Sequence, residues 1–248
     1  MKPVLLITGA SRGIGAATAI LSAKAGWDIV VNYTQNKQAA QALCTQLEAL
    51  GAKTLCVQAD VGEESQILNM FAQIDARFGA LHGLVNNAGV VDMACKVADM
   101  SWQRLDRMMR INILGTFACS REAIKRMSTE HGGKGGSIVN LSSVAAKIGG
   151  AGVYVDYAAS KGAIDSFTSG LSRELATQGI RVNAVRPGII DTEIHASGGL
   201  PNRAKETAGV VPMQRAGTAE EVGKAIVWLL SNDASYTTGA ILDVSGGR

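Results

Sequence analysis

Tyr157 and Lys161 stand four apart in the stretch Tyr157-Ala158-Ala159-Ser160-Lys161. On a helix, positions i and i+4 share one face, so the lysine ammonium lies beside the phenol. A free tyrosine ionises near pH ~10. A positive charge ~5 Å away, at an effective dielectric of ~20, favours the phenolate by ~3 kcal/mol, or about two pKa units. The pair therefore predicts a phenol that exchanges a proton near working pH, as general acid/base catalysis requires. Many helices carry such a pair by chance, so its weight depends on its surroundings.

Several other segments carry matching chemistry. Ser142-Ser143 closes the apolar run before the pair, and Asn112 lies on a helical segment before that. Near the N-terminus, Thr8-Gly9-Ala10-Ser11-Arg12-Gly13-Ile14-Gly15 ends a strand-like run and opens a helix. Glycines there let the backbone turn sharply and approach a pyrophosphate, which a helix N-terminus attracts through its free N–H groups and dipole. The spacing is G-x-x-x-G-x-G, not the commoner G-x-G-x-x-G, and alone it also fits a tight strand-to-helix connection. Asp60-Val61 offers a carboxylate to an adenine amino group. Asn86-Asn87-Ala88-Gly89 has small residues against which a flat ring can lie, and Asn87 is expected to tie neighbouring strand ends together.

The end of the second strand bears on the cofactor. An NAD site usually places an acid there for the ribose 2′-hydroxyl. This chain has Asn32-Tyr33-Thr34 instead, with Asp28 at the strand's other end. Arg12 can reach the same ribose and would pair with a 2′-phosphate, so NADP(H) is expected over NAD(H). The alternative for Arg12 is an ordinary exposed loop arginine.

These residues need a scaffold that brings them to one edge. Pro3–Thr8, Ile29–Tyr33, Thr54–Ala59, Leu81–Asn86, Ser137–Ser142, Ile180–Arg186 and Ala240–Val244 read as strands. Most are apolar on both faces, as in a buried parallel sheet. Gly13–Ala25, Lys37–Leu50, Glu63–Phe78, a pair across Trp102–Met127, Asp156–Thr177 and Ala219–Leu230 read as helices. Gly26, Gly51, Gly79 and Gly179 mark helix ends. The alternation predicts an α/β fold: one doubly wound, Rossmann-type domain over residues 1–248, its seven-stranded parallel sheet covered on both faces. In such a sheet, ligands bind at the carboxyl ends of the strands. The Gly9–Gly15 turn, Asp60, Asn87, Ser143 and the Pro187-Gly188 turn all map there.

Composition narrows the function classes. The 248 residues are 47% hydrophobic and 18% charged, which excludes disorder, and the 29 glycines follow no fixed repeat. A net charge of +3 without a basic run gives no reason to expect nucleic acid or a membrane surface. Lys134 and His131 sit in a Gly-rich turn that reads as a solvated loop. Cys44, Cys56, Cys95 and Cys119 form no C-x-x-C pair and no cluster with His82, His131 or His195, so free thiols and no metal are expected. The chain shows no signal-peptide pattern and no apolar run of ~18 residues, and a cytoplasmic location is expected.

Taken with the closing Thr238-Gly239-Ala240-Ile241-Leu242-Asp243-Val244-Ser245-Gly246-Gly247, these motifs resemble the short-chain dehydrogenases/reductases from end to end. The resemblance implies that Tyr157 carries proton transfer and that Lys161 lowers its pKa and binds the nicotinamide ribose. It implies that Asn112 holds a proton-relay water and that Ser143 positions the substrate carbonyl. Pro187, Gly188, Ile190 and Thr192 would border the nicotinamide carboxamide. The remaining implied cofactor contacts are Gly9, Ser11, Arg12, Gly13, Ile14, Gly15, Asn32, Tyr33, Asp60, Val61, Asn87, Ala88 and Gly89. Ser143 stands fourteen residues before Tyr157, one more than is common in the family, which leaves Ser142 as second candidate.

The expected reaction interconverts a ketone and a secondary alcohol, acting on CH–OH groups by hydride transfer. Met93–Lys96, Gly149–Val155 and Ile194–Gly209 are expected to rim the pocket, with a mobile lid over about 192–212; its His195 reads as solvated. The overall look is like the 3-oxoacyl-carrier-protein reductase branch. Basic residues for an acidic carrier are not concentrated at the rim, so a free small-molecule carbonyl is preferred and the carrier-bound one is the runner-up. A non-catalytic NADP(H) sensor is the alternative of another class. The resemblance also implies a homotetramer built through helices 102–127 and 156–177 and the last strand.

Overall fold

The computed structural model describes residues 2–194, 198–200 and 202–248. Short runs rich in Val, Ile and Leu form its strands, because branched side chains pack well on a pleat buried from both sides. In chain order they are β1 (Val4–Ile7), β2 (Asp28–Tyr33), β3 (Thr54–Gln58), β4 (Gly83–Asn86), β5 (Gly136–Leu141), β6 (Ile180–Pro187), β7 (Ile190–Asp191), β8 (Gly217–Thr218) and β9 (Ile241–Val244). All but β7 and β8 join one parallel sheet ordered β3-β2-β1-β4-β5-β6-β9. The seven predicted strands are these seven, with ends displaced by one or two residues. The β7–β8 pair was not expected; two residues long, it shows no periodicity that a sequence could reveal.

The helices are α1 (Gly13–Lys24), α2 (Lys37–Ala49), α3 (Glu64–Phe78), α4 (Trp102–Met109), α5 (Gly115–Met127), α6 (Ala145–Ile148), α7 (Val155–Glu174), α8 (Arg203–Glu206) and α9 (Ala219–Leu230). Successive strand residues point to opposite faces, so each strand feeds two cores. Leu5, Ile7, Ile29, Val31 and Val85 pack with Leu47 of α2 and Ile226 of α9. Leu6, Val30, Leu84 and Ile138 pack with Phe71 of α3, Met127 of α5 and Leu171 of α7. The helix stops at Gly26, Gly51, Gly79 and Gly179 all take positive φ. At the start of α9, Thr218 and Glu221 form a capping box, with bonds of 3.2 and 2.8 Å.

β1 pairs with β2 on one side and β4 on the other. The winding therefore reverses between β1 and β4, and the helices leaving those strands diverge to opposite faces. That divergence opens a crevice at the carboxyl edge of the sheet.

Candidate active site

A cleft of about 1020 Å³ opens at that edge, with walls from the turns after β1 to β6. After β1, Gly9 and Gly13 adopt φ of +60° and +55°, which folds the turn back under the N-terminus of α1. Gly9, Ser11, Arg12, Gly13 and Ile14 line the cleft. The first turn of α1 holds no acid, so its free N–H groups and dipole present an attractive field to a phosphate. Asn87 does tie strand ends together: its Nδ2 donates to the carbonyls of Thr8 (2.8 Å) and Gly9 (3.0 Å). The Thr8 hydroxyl accepts from the N–H groups of Asn87 and Ala88, each at 3.0 Å.

Two residues expected to touch the cofactor lie behind this wall. Gly15 does not line the cleft; a Cβ there would stand 2.6 Å from Asn87 Nδ2 and 2.8 Å from the Gly9 carbonyl. Its glycine is needed for close packing of the turn. Gly15→Ala should therefore cost about 1–3 kcal/mol of stability through overpacking. Thermal melting checks this. Asn32 likewise does not reach the cleft. It is buried, accepts the Gly9 N–H at Oδ1 (3.1 Å) and donates to the Ala59 carbonyl (3.0 Å). It shapes the turn from below, while Tyr33, Thr34, Gln35 and Asn36 line the wall above it.

Asp60 and Val61 form the far wall with Ile111, and the Asp60 carboxylate is steadied by the Gly62 N–H (2.8 Å). Ala88 and Gly89 line the floor. A Cβ on Gly89 would lie 3.5 Å from both Asn112 Oδ1 and Lys161 Nζ, so this backbone runs against the centre of the site. Pro187, Gly188, Ile190 and Thr192 line the opposite side.

Tyr157, Lys161, Ser142 and Ser143 all border the cleft. Tyr157 lies in the first turn of α7, and the Ser143 hydroxyl hydrogen-bonds its phenol. Ser142 instead donates to the Lys161 carbonyl (3.2 Å), which separates the two serines: Ser143 faces the phenol and Ser142 braces α7. Lys161 Nζ donates to the Leu141 carbonyl (2.6 Å) and sits 5.7 Å from the Tyr157 ring centroid. Asn112 is brought beside the cleft and not into it. It lies in a π-helical turn, Arg110–Leu114, joining α4 to α5. Its Oδ1 accepts the Val90 N–H (2.8 Å), and its Nδ2 donates to the Val90 carbonyl (3.0 Å) and Ser160 Oγ (3.1 Å). Ser160 in turn donates to the Tyr157 carbonyl (2.7 Å). Such widened turns are frequent at functional sites, and nothing in Arg-Ile-Asn-Ile-Leu announces one.

Burial governs both ionisable groups. It raises the Tyr157 phenol above its ordinary value, outweighing the opposite pull of the Ser143 hydrogen bond. It lowers the Lys161 ammonium to about 8, with Asp165 acting against it. The sign for Tyr157 is opposite to the one expected from the lysine alone: loss of water disfavours the phenolate, and the Ser143 hydrogen bond offsets only part of that cost. In the protein's own field the phenol is a neutral proton donor.

The rim differs in part from expectation. Val90, Val91 and Asp92 line the cleft in place of Met93–Lys96, joined by Gly150, Ala151, Val153 and Tyr154 as anticipated. Arg107, Ile148 and Arg248 also line it and were not foreseen: Ile148 extends the expected 149–155 segment by one residue, while Arg107 and Arg248 arrive from elements distant in sequence. Ile194 borders it too, and Tyr154 Oη donates to the Gly198 carbonyl (3.2 Å). His195, Ala196, Ser197 and Pro201 lie outside the described residues. Among the described residues, no three His, Cys, Asp or Glu side chains gather where a metal ion could be held, and no helix is long and apolar enough to cross a membrane.

The family profile described as enoyl-(acyl carrier protein) reductase matches residues 9–248. The uncharacterized oxidoreductase YgfF of Escherichia coli (strain K12) is 53% identical over 245 residues, covering 99% of each chain. The 3-oxoacyl-(acyl-carrier-protein) reductase FabG of Staphylococcus aureus (strain N315) is 34% identical over 250 residues, covering 100% of this chain and 98% of its own. A crystal structure of a short-chain type dehydrogenase/reductase from Mycobacterium marinum superposes with a TM-score of 0.92 at 31% identity, covering 99% of this chain and 94% of that one.

Proposed function

The chain belongs to the short-chain dehydrogenase/reductase family of enzymes, and on that premise we propose that it is an NADP(H)-dependent oxidoreductase interconverting a ketone and a secondary alcohol. The observation that carries this reading is the Ser143–Tyr157–Lys161 grouping at the inner end of a cleft whose other end is a Gly-rich turn under a helix N-terminus. The residues fit a nicotinamide dinucleotide: small residues line the approach to the α1 N–H groups, and Ala88-Gly89 leave room on the floor for a flat ring.

When bound, the nicotinamide supplies or accepts the hydride; the protein supplies position and proton. Ser143 Oγ and the Tyr157 phenol converge on one oxygen of the substrate. The neutral phenol gives its proton to that oxygen as negative charge develops there, and the Ser143 hydroxyl stabilises the charge by hydrogen bond. Lys161, anchored on the Leu141 carbonyl, holds the ribose and steadies the phenolate that results. Asn112, locked between Val90 and Ser160, fixes the site of the water that returns the proton.

The cofactor preference rests on Arg12 at the cleft wall and on a β2 end that carries no acid. A charge-assisted hydrogen bond to a 2′-phosphate is worth about 1.5–3 kcal/mol. Arg12→Ala is therefore expected to raise the KM for NADPH about tenfold or more and leave that for NADH nearly unchanged. Initial rates with both cofactors test this; equal loss with each would contradict it.

The substrate is proposed to be a free small-molecule carbonyl. Similarity to the Staphylococcus aureus FabG favours a second reading, 3-oxoacyl-carrier-protein reduction, which a carrier thioester turned over faster than a free ketone would establish. Both readings use a single domain spanning residues 1–248, because the cleft takes walls from Gly9 through to Arg248. Residues 192–212 are proposed as its lid; their Gly198 and Gly199 lie against Tyr154, Val91 and Met93.

A homotetramer in a reducing, cytoplasmic setting completes the proposal. Leu114 and Phe117 are exposed on the α4–α5 side, with Phe117 stacked on Phe167 of α7 at 3.8 Å. Trp228, Tyr236 and Leu242 are exposed around α9 and β9. Such apolar faces are what a subunit contact covers. Light scattering at micromolar concentration should give four chains; a monomer would refute this.

A further inference from the structure

The ion pair between Arg104 of α4 and Asp156 of α7 lies outside the cleft lining, yet it ties together segments that flank the substrate end. The Arg104 fork is bidentate, with Nε to Oδ2 at 2.7 Å and Nη2 to Oδ1 at 3.1 Å, and the two side chains are only 9% and 1% exposed. Its remaining nitrogen, Nη1, donates to the Met93 carbonyl and to Cys95 Sγ (3.0 Å). The Asp156 carboxylate also accepts the Tyr157 backbone N–H, at the start of the helix that presents the phenol. Cys95 N–H donates to the Val153 carbonyl (3.2 Å), so loop 93–95 is stitched to the loop leading into α7. The Met93 side chain lies beneath Gly199, where a Cβ would meet its Cε at 2.5 Å.

One guanidinium thus joins the helix start beneath Tyr157, the loop after the cleft-lining Val90–Asp92 and, through Met93, the segment at Gly198-Gly199. A buried ion pair adds little net stability over an apolar pair of similar volume, but it demands one geometry. We propose that Arg104 is a positioning residue that holds the substrate rim at a fixed distance from the Tyr157 phenol, so that it sets the discrimination between small and bulky carbonyl substrates. This rests on Tyr157 being the acid/base, as proposed above.

The test uses the full-length protein with diacetyl as the small ketone and benzil as the bulky one. Arg104→Met alone leaves Asp156 buried and unpaired, which is destabilising. The double variant Arg104→Met/Asp156→Asn removes both charges, so no buried charge is left unpaired, and thermal melting checks that it is folded. In it, kcat/KM for benzil is expected to change about tenfold relative to that for diacetyl, because misplacement of a substrate-positioning group by about 1 Å costs up to about 100-fold. Amide hydrogen exchange should rise at residues 92–95 while α7 stays protected, and the Kd for NADPH should hold within about twofold, since Arg104 does not line the cleft. Arg104→Lys, which keeps charge without the fork, should regain thermal stability but not the substrate ratio. An unchanged benzil-to-diacetyl ratio, or unchanged exchange at 92–95, would overturn the proposal. Tyr157→Phe run alongside separates the two readings: if it keeps full turnover, the active-site reading fails and this one with it. If it loses turnover while the double variant matches wild type, only the rim proposal fails.

Discussion

Tyr157→Phe is expected to lower kcat for carbonyl reduction by about a thousandfold, within the ~10²–10⁴ that a positioned general acid contributes. The substitution removes one oxygen from a site where the phenol is held neutral by burial and hydrogen-bonded to Ser143. Among its described neighbours, Ser142 is turned to the Lys161 carbonyl, Asn112 is spent on Val90 and Ser160, and the Ser143 hydroxyl is a much weaker acid than a phenol. The fold should be unaffected, because α7 is anchored by Ile164, Thr168 and Leu171 and not by the phenol. NADPH affinity should fall by about tenfold at most, the worth of one hydrogen bond. Stopped-flow single turnovers separate the chemical loss from the binding loss. A variant with near wild-type single-turnover rates would remove Tyr157 from the mechanism.

Lys161→Met is expected to lower kcat by about a hundredfold or more and to change its pH dependence. Burial lowers the ammonium to about 8, so the proton is held below that pH and lost as pH rises through it. Wild-type kcat for reduction should therefore be level below pH ~8 and fall above it. Asp165, which pulls the lysine back up, is itself held by Arg186 at 2.8 and 3.0 Å, and both lie in the sheet-side packing of α7. In Lys161→Met the decline above pH ~8 should disappear, since the titrating group is gone and the phenol, raised by burial, loses its proton only at higher pH. Rates measured from pH 6 to about 10 check this; a variant that kept the wild-type decline would assign that limb to another group.

Much of this was legible in the sequence because it depends on short-range pattern. Val4–Ile7, Asp28–Tyr33 and Ile138–Leu141 are buried on both faces, and continuous apolar runs report that directly. Tyr157 and Lys161 are a helical turn apart, and Gly9 to Gly13 form one turn, so residue spacing was enough. What was not legible depends on contacts across space. Asn32 follows the β2 pattern of a ribose ligand but is captured by Gly9 and Ala59, neighbours supplied by β1 and β3. Gly15 serves Asn87, seventy-two residues away. The π turn at Asn112 has no compositional signal, and the sign of the Tyr157 shift depends on burial that no local motif encodes. Arg104 and Asp156, fifty-two residues apart, had no reason to be paired before the fold joined them.

The most direct test of the account is the rate of NADPH oxidation by the wild-type protein, followed by absorbance at about 340 nm across a panel of ketones, 3-oxoacyl thioesters and aldehydes, with NADH in parallel. The account predicts turnover of at least one ketone with NADPH, faster than with NADH. Tight NADPH binding with no turnover of any carbonyl would contradict it and point to a protein that senses the cofactor without using it.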